Sequence, residues 1–177
     1  GVFKDIWVNY HILDPKGEKM SKSKGNTIDP AKIIDQFGAE PFRLWSATEG
    51  DITSTDFRCS EDRIRGCGST LTKLWNAVRF SSMFPRAATP AQLCPLDQWI
   101  RHELAGIVAL ADTHYARYDI HTPALKLRHF LWETFASHYL EMVKARAYNR
   151  DASFSRQEQE SALSTIPRWN SRLSGST

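Results

Sequence analysis

Residues 17–26, GEKMSKSKGN, combine positive charge with small polar side chains. Lysines stand at positions 16, 19, 22 and 24, although the whole chain of 177 residues has a net charge of only +3. An ammonium group is a compact charge with three hydrogen-bond donors, which suits phosphate oxygens whose positions shift during a reaction. Lys19 and Lys22 are three residues apart, so in a turn both could reach one polyphosphate. We call residues 17–26 the lysine loop.

Two interpretations of the lysine loop follow from its residue types. Ser21 and Ser23 add hydroxyl donors and Gly25 lets the backbone approach a ligand or swing, so the loop could stabilise charge on a leaving pyrophosphate. A solvated basic loop is the alternative, because runs of charge usually face water. The glycines lack the spacing of a GxxxxGK[ST] phosphate-binding loop. The residue types alone leave both interpretations open.

The composition is typical of a globular protein without a membrane span. Apolar residues make up 41% of the chain, with six Trp and nine Phe, which is enough for a sizeable core. No apolar run approaches the roughly 18 residues of a membrane helix, and the first residues lack the order of a signal peptide. Cys59, Cys67 and Cys94 form no CxxC pair and have no His at zinc-ligand spacing. We therefore predict reduced thiols, no metal site and a cytoplasmic protein.

The first 58 residues predict a small α/β module that carries the lysine loop. Asp29 and Pro30 are a helix cap and a first helical residue, and Gly38 is a typical helix stop. The residues before the loop mix β-branched and aromatic types with polar ones, and DPKG is a turn signal. The predicted elements are a strand at 2–12, a turn at 14–17, helices at 30–38 and 39–48, and a loop at 49–57.

From Ser60 onward the pattern predicts three long amphipathic helices. Apolar residues recur at spacings of three and four along one face of each helix. Prolines in residues 85–95 end the first helix, and Thr122 with Pro123 starts the third. The predicted buried faces are Ile64, Cys67, Leu71, Leu74 and Val78; Leu96, Trp99 or Ile100, Leu104, Ile107 and Leu110; and Leu127, Phe130 or Leu131, Phe135, Tyr139 and Met142.

Three long helices joined by short breaks most economically form an antiparallel bundle. We therefore predict a mainly α fold with two domains, the α/β module at 1–58 and a helical bundle at 59–177. Ser155 with Glu158 could cap one more helix, which Pro167 would stop.

The string KMSKS at residues 19–23, followed by KGN, resembles the signature loop of the class I aminoacyl-tRNA synthetases. These enzymes activate an amino acid with ATP and transfer it to tRNA. LDPKGE before the loop and TIDPAKIIDQFGAEPFRLW after it resemble the sequences that flank the loop in the family. The resemblance implies that Lys22 stabilises the ATP phosphates during adenylate formation, with Lys19 assisting as a second catalytic residue. The implied ATP-binding residues are Lys19, Met20, Ser21, Lys22 and Ser23.

Beyond residue 58 the chain is most similar to the valyl-tRNA synthetases, particularly those of the archaeal type. The similarity runs through TEGDITSTDFRCSEDRIRGCGSTLTKLWNAVRFSSMF, LDQWI and LRHFLWETFASHYLEMVKARAY. It implies that the bundle is of the anticodon-binding type. Isoleucyl- and leucyl-tRNA synthetases share the loop and the bundle, so they remain alternatives. A free-standing tRNA-binding module without catalysis and a plain helical interaction domain are the other classes.

The resemblance also implies ligands and partners. ATP is expected as a substrate together with Mg²⁺, with no tightly bound cofactor, and the anticodon arm of a tRNA is expected as partner. The chain begins at Gly1 without Met, and the family's HIGH-type ATP motif, nucleotide-binding sheet and editing domain would lie upstream. We therefore expect that this chain alone cannot form an aminoacyl-adenylate. A monomer is expected, and a bundle that is incomplete at its C-terminus, because PRWNSRLSGST replaces the family's apolar helical sequence.

Unpaired RNA bases are recognised by stacking on aromatic or guanidinium planes, while basic side chains hold the phosphates. By resemblance, Arg63 and Phe80 are the candidates for contact with anticodon bases. A core position is the alternative for Phe80, because buried aromatic residues dominate helix interfaces. The predicted tRNA-binding residues are Arg63, Arg79, Phe80, Lys126 and Lys144. Other basic residues on the same helices are Arg65, Lys73, Arg128 and Arg146.

Other conspicuous side chains of the helices have structural interpretations. We place Trp75 and Trp132 in the core. His129 and His138 fall on a polar helix face, and no neighbouring residue pattern makes either a catalytic base.

Overall fold

A computed structural model describes residues 2–6, 8, 11–51, 56–85 and 92–166. These residues are mainly helical and include a two-stranded parallel sheet, which confirms the predicted fold class. The elements are β1 (Ile12–Leu13), α1 (Pro30–Phe37), α2 (Ala39–Thr48), β2 (Phe57–Arg58), α3 (Glu61–Ser82), α4 (Pro95–Tyr115), α5 (His121–His129), a π-helical segment (Phe130–Tyr139), α6 (Leu140–Tyr148) and α7 (Arg156–Thr165). No helix of the described ranges combines the length and apolar character needed to cross a membrane.

The chain divides into two compact units. Unit 1 contains Gly1–Leu71 and Ala111–Leu125, and unit 2 contains Thr72–Leu110 and Lys126–Thr177. Helices α3, α4 and α5 therefore contribute residues to both units. The domain boundary predicted at residue 58 stays a prediction.

Unit 1 has an aromatic core. Trp45 is 1% exposed, stacks on Phe42 at 5.5 Å between ring centroids and meets Phe57 edge-on at 5.4 Å. Burial of a large apolar side chain contributes roughly 1.5–3 kcal/mol, so this cluster anchors the small unit. Strands β1 and β2 pair in parallel, with Ile12 opposite Phe57. The pairing brings the start of the lysine loop onto the edge of this core.

The helix boundaries predicted after the lysine loop are confirmed. The Asp29 side chain accepts the N–H of Ala31 at 3.0 Å, and Pro30 is the first residue of α1. Gly38 separates α1 from α2 with φ +92°, a conformation that residues with a Cβ rarely adopt. These signals act within a few residues of each other, which is why the sequence reveals them.

Of the described residues within the strand predicted at 2–12, only Ile12 belongs to a strand. β1 begins at Ile12, and Val2, Phe3 and Val8 are 91%, 76% and 72% exposed. A strand needs a partner for its backbone N–H and C=O groups. Within the described ranges β1 pairs with β2 at residues 57–58, and Leu13 also forms one antiparallel bridge with Lys19. Parts of the predicted strand, loops and C-terminal tail lie outside the described residues, namely 1, 7, 9, 10, 52–55, 86–91 and 167–177.

Unit 2 packs its helices around a core that includes Ile100, Val143 and Ile166, each at most 3% exposed. The third predicted helix runs from His121 to Tyr148 but is π-helical between Phe130 and Tyr139. In this segment the hydrogen-bonded turns widen to five residues, as in the bond from the Leu140 N–H to the Phe135 carbonyl.

The wide turns change which residues of this helix are buried. Leu127 and Met142, both predicted on the buried face, are 48% and 49% exposed, so that part of the prediction is wrong. After the π-helical segment the buried residues are Leu140, Val143, Arg146 and Ala147. A single 3.6-residue period cannot describe both ends of a helix with such an interruption.

A buried polar cluster joins three helices of unit 2. Asp97, which is 0% exposed, accepts two hydrogen bonds from Arg146 and one from Tyr139, each at 2.8 Å, and another from Ser161. Burial alone would raise the pKa of Asp97, but these hydrogen bonds outweigh it and lower the pKa. α7 begins with the predicted capping box of Ser155 and Glu158, which is confirmed.

Candidate functional site

The lysine loop leaves β1 through a tight turn. The Asp14 N–H donates to the Glu18 carbonyl and the Gly17 N–H donates to the Asp14 carbonyl, both at 2.9 Å. Gly17 has φ +86°, and a Cβ there would lie 2.9 Å from Nε of Arg58. The turn predicted at 14–17 is thus confirmed, and its last position requires glycine for both conformation and space.

The Asp14 carboxylate organises the base of the lysine loop. Asp14 is 5% exposed, and its Oδ1 accepts the N–H groups of Lys16 at 3.0 Å and Glu18 at 2.8 Å. Its Oδ2 accepts from Nδ2 of Asn26 at 3.0 Å. The hydrogen bond from Glu18 is the largest cause that lowers the pKa of Asp14. Asp14 is therefore an ionised acceptor at neutral pH.

The predicted ATP-binding residues Met20, Ser21 and Ser23 take part in the folding of the loop. The Ser21 N–H donates to Oδ1 of Asn26 at 2.9 Å, and the hydroxyls of Ser21 and Ser23 lie 3.1 Å apart. Sδ of Met20 accepts the N–H of Ile28 at 3.4 Å. Their predicted contact with ATP stays a prediction.

The lysines of the loop differ in their partners. Nζ of Lys24 donates to Oε2 of Glu18 at 3.4 Å, an exposed pair of little energetic weight. Lys19 and Lys22 are exposed, and neither ammonium forms an ion pair with a described residue. The two predicted catalytic lysines are therefore the ones whose charge faces solvent without a carboxylate partner.

Unit 2 contains an aromatic cluster, formed by Phe80, Phe84 and Tyr148. Phe84 meets both other rings edge-on at 5.0 Å between centroids, and Phe80 lies 6.2 Å from Tyr148. Phe80 and Phe84 are partly buried against the core, whereas Tyr148 is 37% exposed. Phe80 thus combines the two interpretations that the sequence left open, since it packs on the core and belongs to a partly exposed cluster.

Two cations lie over rings of the aromatic cluster. Nζ of Lys144 is 5.6 Å from the centroid of Phe80, and the guanidinium carbon of Arg150 is 4.9 Å from that of Tyr148. The structure therefore brings together two of the predicted tRNA-binding residues, Phe80 and Lys144. The sequence interpretation missed Phe84, Tyr148 and Arg150. The sequence signal for Tyr148 and Arg150 is their position on either side of Asn149, which ends α6.

Asn149 fixes the position of Tyr148 and Arg150. It ends α6 in the left-handed conformation with φ +42°, which asparagine tolerates better than most residues. Its Oδ1 accepts the Phe154 N–H at 3.0 Å and its Nδ2 donates to the Phe154 carbonyl at 2.9 Å. This turn holds the two residues beside it at the end of the helix.

The remaining predicted tRNA-binding residues have different surroundings. Arg63 belongs to unit 1, where it forms an ion pair with Glu49. Arg79 and Lys126 are exposed in unit 2, and neither forms an ion pair or cation–π contact with a residue that the structure describes. Arg79 precedes Phe80 directly, so it lies next to the aromatic cluster.

Some sequence interpretations of the helices are wrong. Trp75 is 68% exposed and not in the core, because the buried face of α3 passes through Ala77 and Ser81 instead.

Nζ of Lys73 lies 4.1 Å from the ring centroid of Trp132 and donates to the Trp132 carbonyl at 3.2 Å. Lys73 is thus bound within unit 2, and Trp132 is half-buried beneath it. The guanidinium of Arg146 is likewise committed to the buried polar cluster.

The described residues contain no group of three or more His, Cys, Asp or Glu arranged to hold a metal ion. Cys59 and Cys67 are buried in the core of unit 1, and burial raises the pKa of the Cys59 thiol. His129 and His138 are exposed, as predicted.

Two protein families match the chain. The family described as tRNA synthetases class I (I, L, M and V) matches residues 2–58, which include the lysine loop. The family described as anticodon-binding domain of tRNA ligase matches residues 97–169, which include Lys126, Lys144 and Tyr148.

Curated relatives of this chain are valine-tRNA ligases. That of Pyrobaculum aerophilum is 41% identical over 164 residues, which cover 93% of this chain and 20% of the relative. That of Aeropyrum pernix is 40% identical over 161 residues, which cover 87% of this chain and 19% of the relative. The chain thus spans about a fifth of the length of these relatives.

Solved structures show the same fold. Mycobacterium tuberculosis methionyl-tRNA synthetase bound by methionyl-adenylate matches with a TM-score of 0.69 and 21% identity. The match covers 88% of this chain and 31% of that structure. At this identity the likeness concerns the fold alone.

Proposed function

The chain belongs to the class I tRNA synthetases, and we propose on that basis that it acts in a valine-tRNA ligase, which activates valine with ATP and charges tRNA(Val). The curated relatives at 34–41% identity are valine-tRNA ligases, which favours valine over isoleucine or leucine. In this proposal the lysine loop acts on the ATP phosphates and unit 2 binds the anticodon arm. The rest of the synthetase, a cytoplasmic location and a monomeric state belong to the same proposal.

The exposed ammonium groups of Lys19 and Lys22 support the proposed role of the lysine loop. Adenylate formation develops negative charge on the departing pyrophosphate, and fixed cations that meet this charge lower the barrier. ATP would bring Mg²⁺ with it, which neutralises part of the phosphate charge. The two ammonium groups sit on flexible stems with three donors each, so they can follow the phosphate oxygens as the bond breaks.

The single observation that carries the RNA-binding proposal is the aromatic cluster with its two cations. Single-stranded RNA loops are bound by stacking their splayed bases on aromatic rings and guanidinium planes. Tyr148 offers a partly exposed ring and Arg150 a guanidinium plane beside it. The neighbouring Arg79, which forms no ion pair with a described residue, supplies charge for the RNA backbone, and Lys144 adds to it once its exposed ion pair with Glu141 opens. Such charge contributes affinity without sequence preference.

The test is equilibrium binding of the chain to a valine-type anticodon stem-loop and to a copy with its middle anticodon base changed. We expect affinity for both to fall with added salt, and the altered loop to bind more weakly at each of two salt concentrations. A matched DNA hairpin serves as control for charge alone. Equal affinity for both RNAs would refute anticodon readout by unit 2.

A tRNA-binding module that acts without catalysis is the second candidate, and the same aromatic cluster supports it. The two candidates differ in the lysine loop. A tRNA-binding module does not need the loop to bind polyphosphate, whereas a synthetase does. Binding of inorganic tripolyphosphate that depends on Lys19 and Lys22 would favour the synthetase.

A further inference from the structure

Asn26, the last residue of the lysine loop, ties three parts of the loop together. Its Nδ2 donates to Oδ2 of Asp14 at 3.0 Å and to the Lys19 carbonyl at 3.3 Å. Its Oδ1 accepts the Ser21 N–H at 2.9 Å. One amide side chain thus connects the base of the loop with the backbone on both sides of Met20.

The chemistry of the pair determines the orientation of the amide. The ionised Asp14 carboxylate can only accept hydrogen bonds, so it must face the NH₂ group of Asn26. That leaves Oδ1 of Asn26 for the Ser21 N–H. Asp14 therefore must accept and Asn26 must donate in the bond between them. Exchanging the residue type at only one of the two positions would bring two donors or two acceptors face to face.

The hydrogen bonds of Asn26 hold the backbone of the segment that carries the two solvent-facing ammonium groups. Lys19 and Lys22 flank Met20 and Ser21, and their own side chains make no ion pair with a described residue that would hold them. A loop that is already ordered loses less conformational freedom when a ligand binds, which raises its affinity.

We propose that Asp14 and Asn26 are positioning residues, whose side-chain hydrogen bond closes the lysine loop so that Lys19 and Lys22 can engage a polyphosphate together. This inference rests on the proposed role of the loop in binding the ATP phosphates. It adds two residues that do not touch the ligand but determine how the lysines meet it.

Four variants test the pairing through its donors and acceptors. Asn26→Ala removes all three bonds, Asn26→Asp opposes two carboxylates, and Asp14→Asn opposes two NH₂ groups. The double variant Asp14→Asn with Asn26→Asp exchanges the partners. In it, the amide at position 14 keeps an oxygen for the two backbone N–H groups and donates to the carboxylate at position 26, which still accepts from Ser21 but no longer donates to the Lys19 carbonyl.

The measurement is calorimetric binding of inorganic tripolyphosphate to the full chain, with backbone amide exchange of Ser21 recorded in parallel. We expect each single variant to bind about tenfold more weakly, because each loses hydrogen bonds that involve a charged group. We expect the double variant to recover most of the affinity and the protection of Ser21. Asp35→Asn, an exposed residue of α1, is the control for the change of charge and should bind as the original chain does.

The outcomes separate the two proposals. Restoration by the double variant supports the positioning role, because a general loss of stability would not be reversed by a second substitution. Single variants that bind normally, or a double variant as weak as the singles, would overturn the positioning role while the loop's function stands. If the original chain binds no better than a Lys19→Ala, Lys22→Ala variant, the proposed function of the loop fails, and the positioning role fails with it.

Discussion

Replacing Tyr148 by Ala tests whether the aromatic cluster is a platform for RNA bases. The ring is 37% exposed, meets Phe84 at 5.0 Å and has Arg150 at 4.9 Å. Stacking of one base on an aromatic side chain contributes roughly 1–3 kcal/mol, so the affinity for the anticodon stem-loop should fall about 5- to 150-fold. Burial of the rest of the ring contributes roughly 1–2 kcal/mol to the free energy of unfolding, so the variant should still fold.

The assay is fluorescence anisotropy of a labelled stem-loop, with thermal unfolding of each variant measured beside it. Tyr148→Phe keeps the ring and should bind nearly as the original chain does. Tyr115→Ala removes a tyrosine that is 53% exposed and belongs to unit 1, so it is the matched control. If folded Tyr148→Ala binds the RNA as tightly as Tyr115→Ala, the cluster is not a base platform and the reasoning fails.

Further predictions compare basic side chains that form an ion pair in the structure with those that do not pair with a described residue. Lys22→Ala should weaken tripolyphosphate binding about tenfold, whereas Lys24→Ala should change it much less, because Lys24 already pairs with a carboxylate; calorimetry compares them. Lys126→Ala should weaken binding to all RNA loops alike and reduce the salt slope by about 1, measured by a salt titration. Arg146→Met should lower the free energy of unfolding by about 3–5 kcal/mol in urea, because it leaves Asp97 charged and buried without its partner. Since the folded-state pKa of Asp97 is lowered, its contribution to stability is present at neutral pH and should be lost as pH falls below 3.8, which urea titrations across acid pH would show.

Local signals account for the parts of the fold that the sequence predicts well. The Asp29 cap, the Gly38 stop and the capping box at Ser155 each involve residues within a few positions of each other. Such hydrogen bonds form whenever the chain adopts the helix, so they depend little on the rest of the molecule. Among the described residues of the strand predicted at 2–12 only Ile12 is paired, because a strand needs a partner from elsewhere in the chain, which local signals do not reveal.

The π-helical segment shows what periodicity misses. The prediction extended one 3.6-residue period from Leu127 to Met142, although the helix widens between Phe130 and Tyr139. The Trp132 carbonyl there accepts from both Lys73 and Ser137, at 3.2 and 2.7 Å. A lysine 59 positions away in the chain thus helps to hold the wide turn, and no local pattern could reveal that.

In the candidate sites, too, the sequence predicts residue types, whereas the contacts between residues distant in the chain appear only in the structure. KMSKS identified Lys19 and Lys22 from the string alone, whereas the bond between Asp14 and Asn26 spans twelve positions of unremarkable polar residues. Phe80 was predicted by resemblance, and Lys144 separately as one of the basic residues of the third helix. Only their packing shows that the lysine lies over the phenylalanine ring.

The net charge of +3 says little about ligand binding, because geometry decides which cations are available. Arg146 and Lys73 bind partners within unit 2, and Lys24 has a carboxylate beside it. Lys19 and Lys22, by contrast, face solvent without an ion-pair partner among the described residues. A cation can meet a phosphate without first breaking an ion pair only if the fold leaves it without a carboxylate, and the folded lysine loop does this for the two lysines that its motif identifies. Substituting the buried cation Arg146 should therefore change stability first, whereas substituting Lys19 or Lys22 should change ligand affinity with little effect on stability.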